Sequence, residues 1–265
     1  MSPDSARSVS SKVPSIQVIG ITGIPEIAPG DPLGETIAVA AQRQGTPVEN
    51  DDILVVTQKI VSKAEGRVVD LSTVEPSAFA SQLAMQTGHD ARLMELVLRE
   101  SRSIVRMDLE RGILITETSH GFVCANAGID ASNVPGDDNV SLLPDDPDRS
   151  ARGIRQDIAS ATGRMRVAVV ISDTFGRAWR EGHVNFAIGV AGINPIKDYQ
   201  GTLDSQGMVL KVTSIAVADE IAAAAEMVTE KAVQVPVAIV RGYPYDTAPD
   251  GINALLRSRE RDLFR

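Results

Sequence analysis

The stretch from Val167 to Asn185, VAVVISDTFGRAWREGHVN, puts groups able to do chemistry directly after a run that must be buried. Val167 to Ile171 is β-branched and apolar, long enough to cross a covered sheet, and polarity replaces hydrophobicity within one residue at Ser172-Asp173-Thr174. The spacing predicts that the strand ends there. Side chains fixed at a strand end can hold a cation, Asp173 through a hard carboxylate and Thr174 through a hydroxyl. Gly176 would let the backbone turn, and Arg177 and Arg180 would offer positive charge to a phosphate. The same residues also suit a turn capped by Asp173 and flanked by solvated arginines.

Two further stretches offer related chemistry. Between Asn126 and Gly136 the chain is crowded with special residues. Asp130 supplies a carboxylate, Asn133 an amide and Gly128 backbone freedom, which together make half of a divalent-cation site or an Asx-rich turn. The strand expected over 51–56 runs into VTQKIVSKAEGR, where Thr57, Gln58, Lys59, Lys63 and Arg67 gather hydroxyl, amide and cationic groups. Lysine meets a phosphate as a point charge and Gln58 can read a base or ribose edge, so these types suit a nucleotide better than a sugar. Neither a P-loop nor a GxGxxG motif after a strand is present. The loop Thr22-Gly23-Ile24-Pro25-Glu26-Ile27 reads by itself as a connector.

These groups need a scaffold. Strands are expected at 15–21, 104–106, 209–217 and 236–240, and a hairpin from 112–116 to 120–124 across Glu117-Thr118-Ser119. Helices are expected over 33–44, 75–86, 92–101, about 148–162 and 219–230, with a charged helical tail at 250–265. Phe186 to Gly192 is small and apolar, suited to close packing. No repeat or linker separates independent units, so 15–265 is expected to form a single domain, with two interleaved subdomains as its variant, behind a flexible start at 1–14.

Composition narrows the function classes. With 265 residues, 43% of them hydrophobic, the chain can bury a large core, while 3% aromatics leave little to stack on bases. A net charge of −9 disfavours attachment to nucleic acid or to an anionic membrane, so an anionic substrate must be gathered by local cations. Cys124 is the single cysteine, which excludes an internal disulfide and a cysteine-based zinc cage and fits a reducing cytoplasm. Flanked by Val123 and Ala125, it reads as a small buried hydrophobe. The polar first dozen residues lack the apolar core of a signal peptide, and no window reaches the roughly 18 apolar residues of a membrane helix. A soluble, cytoplasmic protein is expected.

The blocks GIPEIAPGD, VTQKIVSKAEGR, AGIDASNVP, SDTFGRAWREG, GVAGINPIKDYQG and VADEIAAAAE occur in the order and approximate spacing of the coenzyme F420-0:L-glutamate ligase family, which the chain resembles from about Ile16 to Gly242. The resemblance implies a mixed α/β (α+β) fold peculiar to that family, with mixed sheets, flanking helices and an intertwined homodimer. It implies a GTP-dependent ligase that adds L-glutamate to the deazaflavin precursor coenzyme F420-0 through a γ-linked amide. Mg2+ or Mn2+, two per site, would assist, with K+ as a further candidate cation. Position by position, Ile24, Pro25, Glu26 and Ile27 resemble part of the GTP site, as do Gln58, Lys63 and Asn133. Asp130 and Asp173 resemble ligands of the first metal and Thr174 a ligand of the second. Arg177, and after it Arg180, would stabilise the transferring phosphate.

A carboxylate is a poor acylating agent, so such ligases phosphorylate it from the nucleotide and let an amine attack the acyl phosphate; metals offset the charge repulsion. Positioning and electrostatics suffice, and no covalent intermediate on Ser, Cys or His is expected. His183 stands near the Asp173 block but, like His89 and His120, reads as a surface or hydrogen-bonded structural residue. One block departs from the family. Where members carry Met-Gly-Gln-Ala, with the Gln associated with the second metal and GTP, this chain has Thr229-Glu230-Lys231-Ala232. A protonated Lys231 cannot coordinate metal, which leaves a weaker second site, Glu230 as substitute, or Lys231 on phosphate. No appended nitroreductase-like domain is expected. The alternatives are a paralogous ligase with another acid and amine, a metal-dependent phosphohydrolase, and a non-catalytic nucleotide-binding module.

Overall fold

The computed structural model describes residues 13–132, 136, 138–230, 233–248 and 251–263. The first half of the chain forms β1 (Gln17–Ile21), α1 (Leu33–Gln44), β2 (Ile53–Thr57), α2 (Gln58–Ala64), β3 (Val68–Asp70), α3 (Ala78–Thr87) and α4 (Ala91–Arg99). β4 (Ser101–Asp108), β5 (Ile113–Thr118), β6 (Val123–Ala125), β7 (Asn139–Ser141) and α5 (Pro147–Thr162) follow. The rest comprises β8 (Ala168–Arg177), β9 (Arg180–Ala191), β10 (Lys197–Asp198), β11 (Ser214–Ile215), α6 (Val217–Thr229) and β12 (Val237–Arg241). Among these no helix is long and apolar enough to cross a membrane.

The central sheet has the order β1-β12-β2-β8-β9, and only β2 and β8 are parallel. Its middle strands are continuous apolar runs because both faces are covered. Register shows which helix covers which face. Gly20, Ala238, Val55, Val170 and Val190 lie opposite one another across the sheet, and a Cβ on Gly20 would meet Val228 of α6. The alternate row, Ile21, Val237, Val56, Ile171 and Gly189, faces α5, where a Cβ on Gly189 would lie 2.5 Å from the Pro147 carbonyl. α1 packs on α5, with Gly34 against the Ile154 carbonyl and the Asp157 Cβ. Each Val, Ile or Leu fully buried in these layers contributes about 1.5–3 kcal/mol. A separate core under β4-β5-β6 joins Leu83, Met94, Val97 and Leu114. A third, around Leu71, Leu96, Val140 and Leu142, supports the β3–β7 pair.

The mixed sheets and flanking helices agree with the expected α/β (α+β) class, and several elements differ from the sequence reading. β8 does not end at Ser172: it continues to Arg177 as a two-stranded arm with β9, closed at Trp179, whose φ is 65°. Gly176 is therefore a strand residue rather than the turn. The polarity change marks where the strand leaves the core. The alternating run 209–217 forms only the short β11, because its partner β10 has two residues and α6 begins at Val217; Val212 is left 85% exposed. The tail makes two 3-10 turns, Ile252–Leu255 and Arg259–Arg261, with Ile252 as its buried anchor. Asp250, Phe264 and Arg265 of that predicted helix, and residues 1–12 of the predicted flexible start, lie outside the described residues. β4 has eight residues rather than three, because β5 pairs along its whole length.

Candidate functional site

One edge of the central sheet collects most of the predicted residues. Antiparallel pairing puts the end of β1 and the start of β12 together, with Ile21 opposite Val237. Val237 lies opposite Val56, and Thr57 opposite Ser172, so the carboxyl ends of the two parallel strands open at the same edge. In open α/β sheets that is where ligands bind. The loop after β1, the first turn of α2, the exit of β8 from the core and the segment from α6 to β12 therefore converge. They enclose a cleft of about 710 Å³.

Ile24, Pro25, Glu26 and Ile27 line one wall, Gln58 and Lys63 another, and Asp130, Asp173 and Thr174 a third. Residues up to 150 positions apart in sequence thus meet. Asn133 and Lys231 lie outside the described residues. Arg177 is not brought into the cleft. It sits near the tip of the β8–β9 arm, where its Nη2 donates to the Glu181 carbonyl at 2.7 Å. The reason is the arm itself: continued pairing with β9 carries residues after Thr174 away from the sheet edge.

The polar groups are held in specific ways. Asp130 joins β7 through a two-way backbone bridge with Ser141. Its carboxylate accepts from Lys59 Nζ at 2.7 Å, from Ser132 Oγ at 2.7 Å and from the Ser132 N–H at 2.7 Å. Burial pushes the Asp130 carboxyl up, but Lys59 and the Ser132 donors outweigh it and hold it below the usual carboxylate range. Lys63 pairs with Glu26 at 2.5 Å. Gln58 is buried, and its Nε2 donates inward to Ser62 Oγ and the Leu142 carbonyl. Its amide nitrogen thus ties α2 to the chain after β7 instead of reading a base. The Asp173 carboxylate accepts from the Thr174 N–H at 2.8 Å, and Thr174 Oγ1 lies 2.7 Å from Asn185 Oδ1, to which it donates.

The sequence reading missed three contributors. Asn185, a buried polar residue directly across from Thr174, was visible as the one amide interrupting VNFAIGVA. Ser172 Oγ is buried in the cleft wall with no hydrogen-bond partner among the described residues. Gln234 lines the cleft at a positive φ of 56°, beside Glu230, the substitute ligand already offered by the sequence, at φ 36°; such backbone conformations concentrate at functional sites. The histidines are structural or remote: His89 and His120 lie against the Gly112 and Pro144 carbonyls, and His183 is exposed on the arm.

A divalent cation suits this wall. Asp130, Asp173, Thr174 and the Ser172 hydroxyl are hard oxygen donors, and among the described residues neither Cys nor His lines the cleft. Among the described residues no group of three or more His, Cys, Asp or Glu forms a protein-only cage. One or two carboxylates completed by substrate phosphates is the pattern of Mg2+ rather than of structural zinc.

Cys124 lies across from Thr116 on the β5–β6 pair, and its thiol is pushed up to about 12, first by burial and then by the Asp173 carboxylate. A neutral, buried thiol does not react. Iodoacetamide at pH 8 is expected to leave the folded protein unmodified and to label one site in denaturant; rapid labelling of native protein would show that β6 opens.

Known proteins converge on one description. A family model described as F420-0:Gamma-glutamyl ligase matches residues 22–242. A protein of Methanothermobacter thermautotrophicus named coenzyme F420:L-glutamate ligase is 46% identical over 254 residues, covering 94% of this chain and 99% of its own. Proteins of the same name from Methanopyrus kandleri and Methanocaldococcus jannaschii are each 41% identical, covering 96% and 88% of this chain and 99% and 92% of their own.

Proposed function

The chain belongs to the F420-0:gamma-glutamyl ligase family, and on that premise we propose that it joins L-glutamate to coenzyme F420-0 through a γ-linked amide at the expense of GTP. The observation that carries this reading is the single cleft in which Ile24 to Ile27, Lys63, Asp130, Asp173 and Thr174 meet. On a chain of net charge −9, Lys59 and Lys63 give that cleft the local cations a triphosphate requires.

In the first step a carboxylate oxygen of F420-0 attacks the γ-phosphorus, the bond to the β,γ-bridging oxygen breaks, and GDP leaves. The glutamate amine then attacks the acyl carbon, the bond to the phosphate oxygen breaks, and inorganic phosphate departs with the amide formed. The ammonium must lose two of its three protons on the way to the amide. Lys63 and Lys59 hold the phosphates, the 24–27 loop borders the nucleotide, and Thr174 is oriented by Asn185. Bound at Asp130, Asp173 and Thr174, Mg2+ or Mn2+ would supply Lewis-acid polarisation of the transferring phosphate. Glu230, which lines the cleft, would serve the second cation in place of the family's glutamine. Arg177 is assigned no part in transfer.

Association into a homodimer belongs to the same reading. Leu203, Met208, Val209 and Val212 are exposed along the segment between β10 and β11, which a second copy of the chain would cover.

Mass spectrometry of the products formed from GTP, MnCl2, L-glutamate and F420-0 tests the proposal. The expected result is a product heavier by one glutamyl unit or more, with GDP. GDP without a glutamylated product would replace the ligase by a hydrolase or by another substrate pair.

A further inference from the structure

Lys59 makes a set of contacts that its assignment as a phosphate-binding cation does not account for. All three of its ammonium hydrogens are used, on Asp130 Oδ2 at 2.7 Å, on Ser132 Oγ at 2.9 Å and on the Ser132 carbonyl. Asp130 Oδ2 also accepts from Ser132 Oγ, and Oδ1 from the Ser132 N–H. The carboxylate expected to bind a metal is thus already neutralised by a side chain. Its main chain cannot swing aside, because the Asp130 N–H and carbonyl are both bonded to Ser141 of β7. The mobile partner is the lysine, whose four-carbon stem carries a compact charge. Lys63, one turn further along α2 and also lining the cleft, is likewise paired with a carboxylate, that of Glu26. Both cations of this helix face are held by carboxylates on neighbouring loops.

We infer that Lys59 is a resident counter-cation on Asp130 that an incoming divalent cation displaces, so that metal binding hands the ammonium over to the nucleotide phosphates. An ammonium and a dication repel strongly when they share one carboxylate oxygen, so one must leave for the other to bind. The departing charge stays in the cleft on the face that also presents Lys63. Lys59 is in this sense a positioning residue: it keeps the 130–132 segment folded around the carboxylate and couples metal affinity to nucleotide affinity. The coupling must be reciprocal, each ligand strengthening the other by the same factor. The inference rests on the reading of Asp130 as a metal ligand.

Binding, not turnover, tests it. Mn2+ affinity of the full chain without nucleotide is read by electron paramagnetic resonance of the free ion, and affinity for the β,γ-imido analogue of GTP by calorimetry with and without MnCl2. Lys59→Met is expected to bind Mn2+ about 5–10-fold more tightly than the wild type, and to lose by a similar factor the gain in nucleotide affinity that Mn2+ brings. Lys59→Arg keeps the charge and is expected to stay within about twofold of the wild type in Mn2+ affinity. Lys59→Gln, which still has a donor for Ser132, serves where Lys59→Met does not fold. If Asp130→Asn abolishes Mn2+ binding while the uncharged Lys59 variants bind it no more tightly than the wild type, the exchange is overturned and the metal site stands. Mn2+ binding indifferent to Asp130→Asn overturns the metal site and the exchange together.

Discussion

Asp173→Asn is expected to lower kcat/KM for glutamyl transfer by roughly 10²–10³-fold while leaving the fold intact, because it removes the negative charge that would hold a divalent cation beside the transferring phosphate. The backbone of Asp173 lies in the β8–β9 ladder opposite Phe186, so the exchange disturbs no strand pairing. An asparagine of the same shape can still accept from the Thr174 N–H, as the carboxylate does at 2.8 Å. What it cannot supply is the negative charge that draws a divalent cation to a cleft already holding Lys59 and Lys63. The loss should therefore come with a higher Mn2+ requirement, and with a circular-dichroism spectrum and Tm close to those of the wild type. Near-normal turnover at ordinary Mn2+ would remove Asp173 from the reaction. A loss of turnover with a collapsed Tm would make it a structural residue.

The placement of Asp173 shows how far a sequence can be read. The run VAVVI predicts a buried strand because β-branched residues fill both faces of a covered sheet, and β8 is buried as far as Ser172. The same pattern predicts a strand end that does not occur. Hydrogen bonding to β9 does not depend on side-chain polarity, so β8 leaves the core and remains paired. The meeting of the 24–27 loop, Lys63, Asp130 and Asp173 was legible only through the ordered family blocks, since no local pattern joins segments so far apart. The Lys59–Asp130 pair spans 71 positions and the Arg241–Asp52 pair 189, and both follow from how sheets and loops close rather than from any spacing. Thr174 and Asn185 are closer, 11 positions apart, yet their contact depends on a hairpin register that includes an irregularity between Ile171 and Ser172. Gln58 shows the reverse: its type fits a nucleotide edge, and the structure turns its amide nitrogen inward.

Asp52→Ala is expected to cost about 3 kcal/mol of stability and to leave the chemistry of each folded molecule unchanged. Asp52 is fully buried immediately before β2, where Arg241 at the end of β12 grips it twice, Nε to Oδ1 at 2.8 Å and Nη2 to Oδ2 at 2.7 Å. The same carboxylate accepts from the Glu49 N–H at 2.8 Å. Truncation leaves that N–H and the guanidinium without their buried acceptor. Arg241 retains the Glu49 carboxylate and the Pro47 carbonyl and is partly exposed, which keeps the loss at the lower end of the range for broken buried pairs. For a chain of this length the loss corresponds to a fall in Tm of about 6–12 °C. Because β12 and β2 are antiparallel, the Asp52 end of β2 lies at the sheet edge opposite Thr57 and the cleft. Urea unfolding should show a lower midpoint at unchanged m, with kcat/KM per folded molecule within about twofold of the wild type. A midpoint shift worth under about 1 kcal/mol would class the pair with weak surface bridges. A fall in turnover as large as that of Asp173→Asn would mean instead that the two edges of the sheet are energetically linked, because among the described residues the hydrogen bonds of Asp52 go to Glu49, Ala168 and Arg241, away from the cleft.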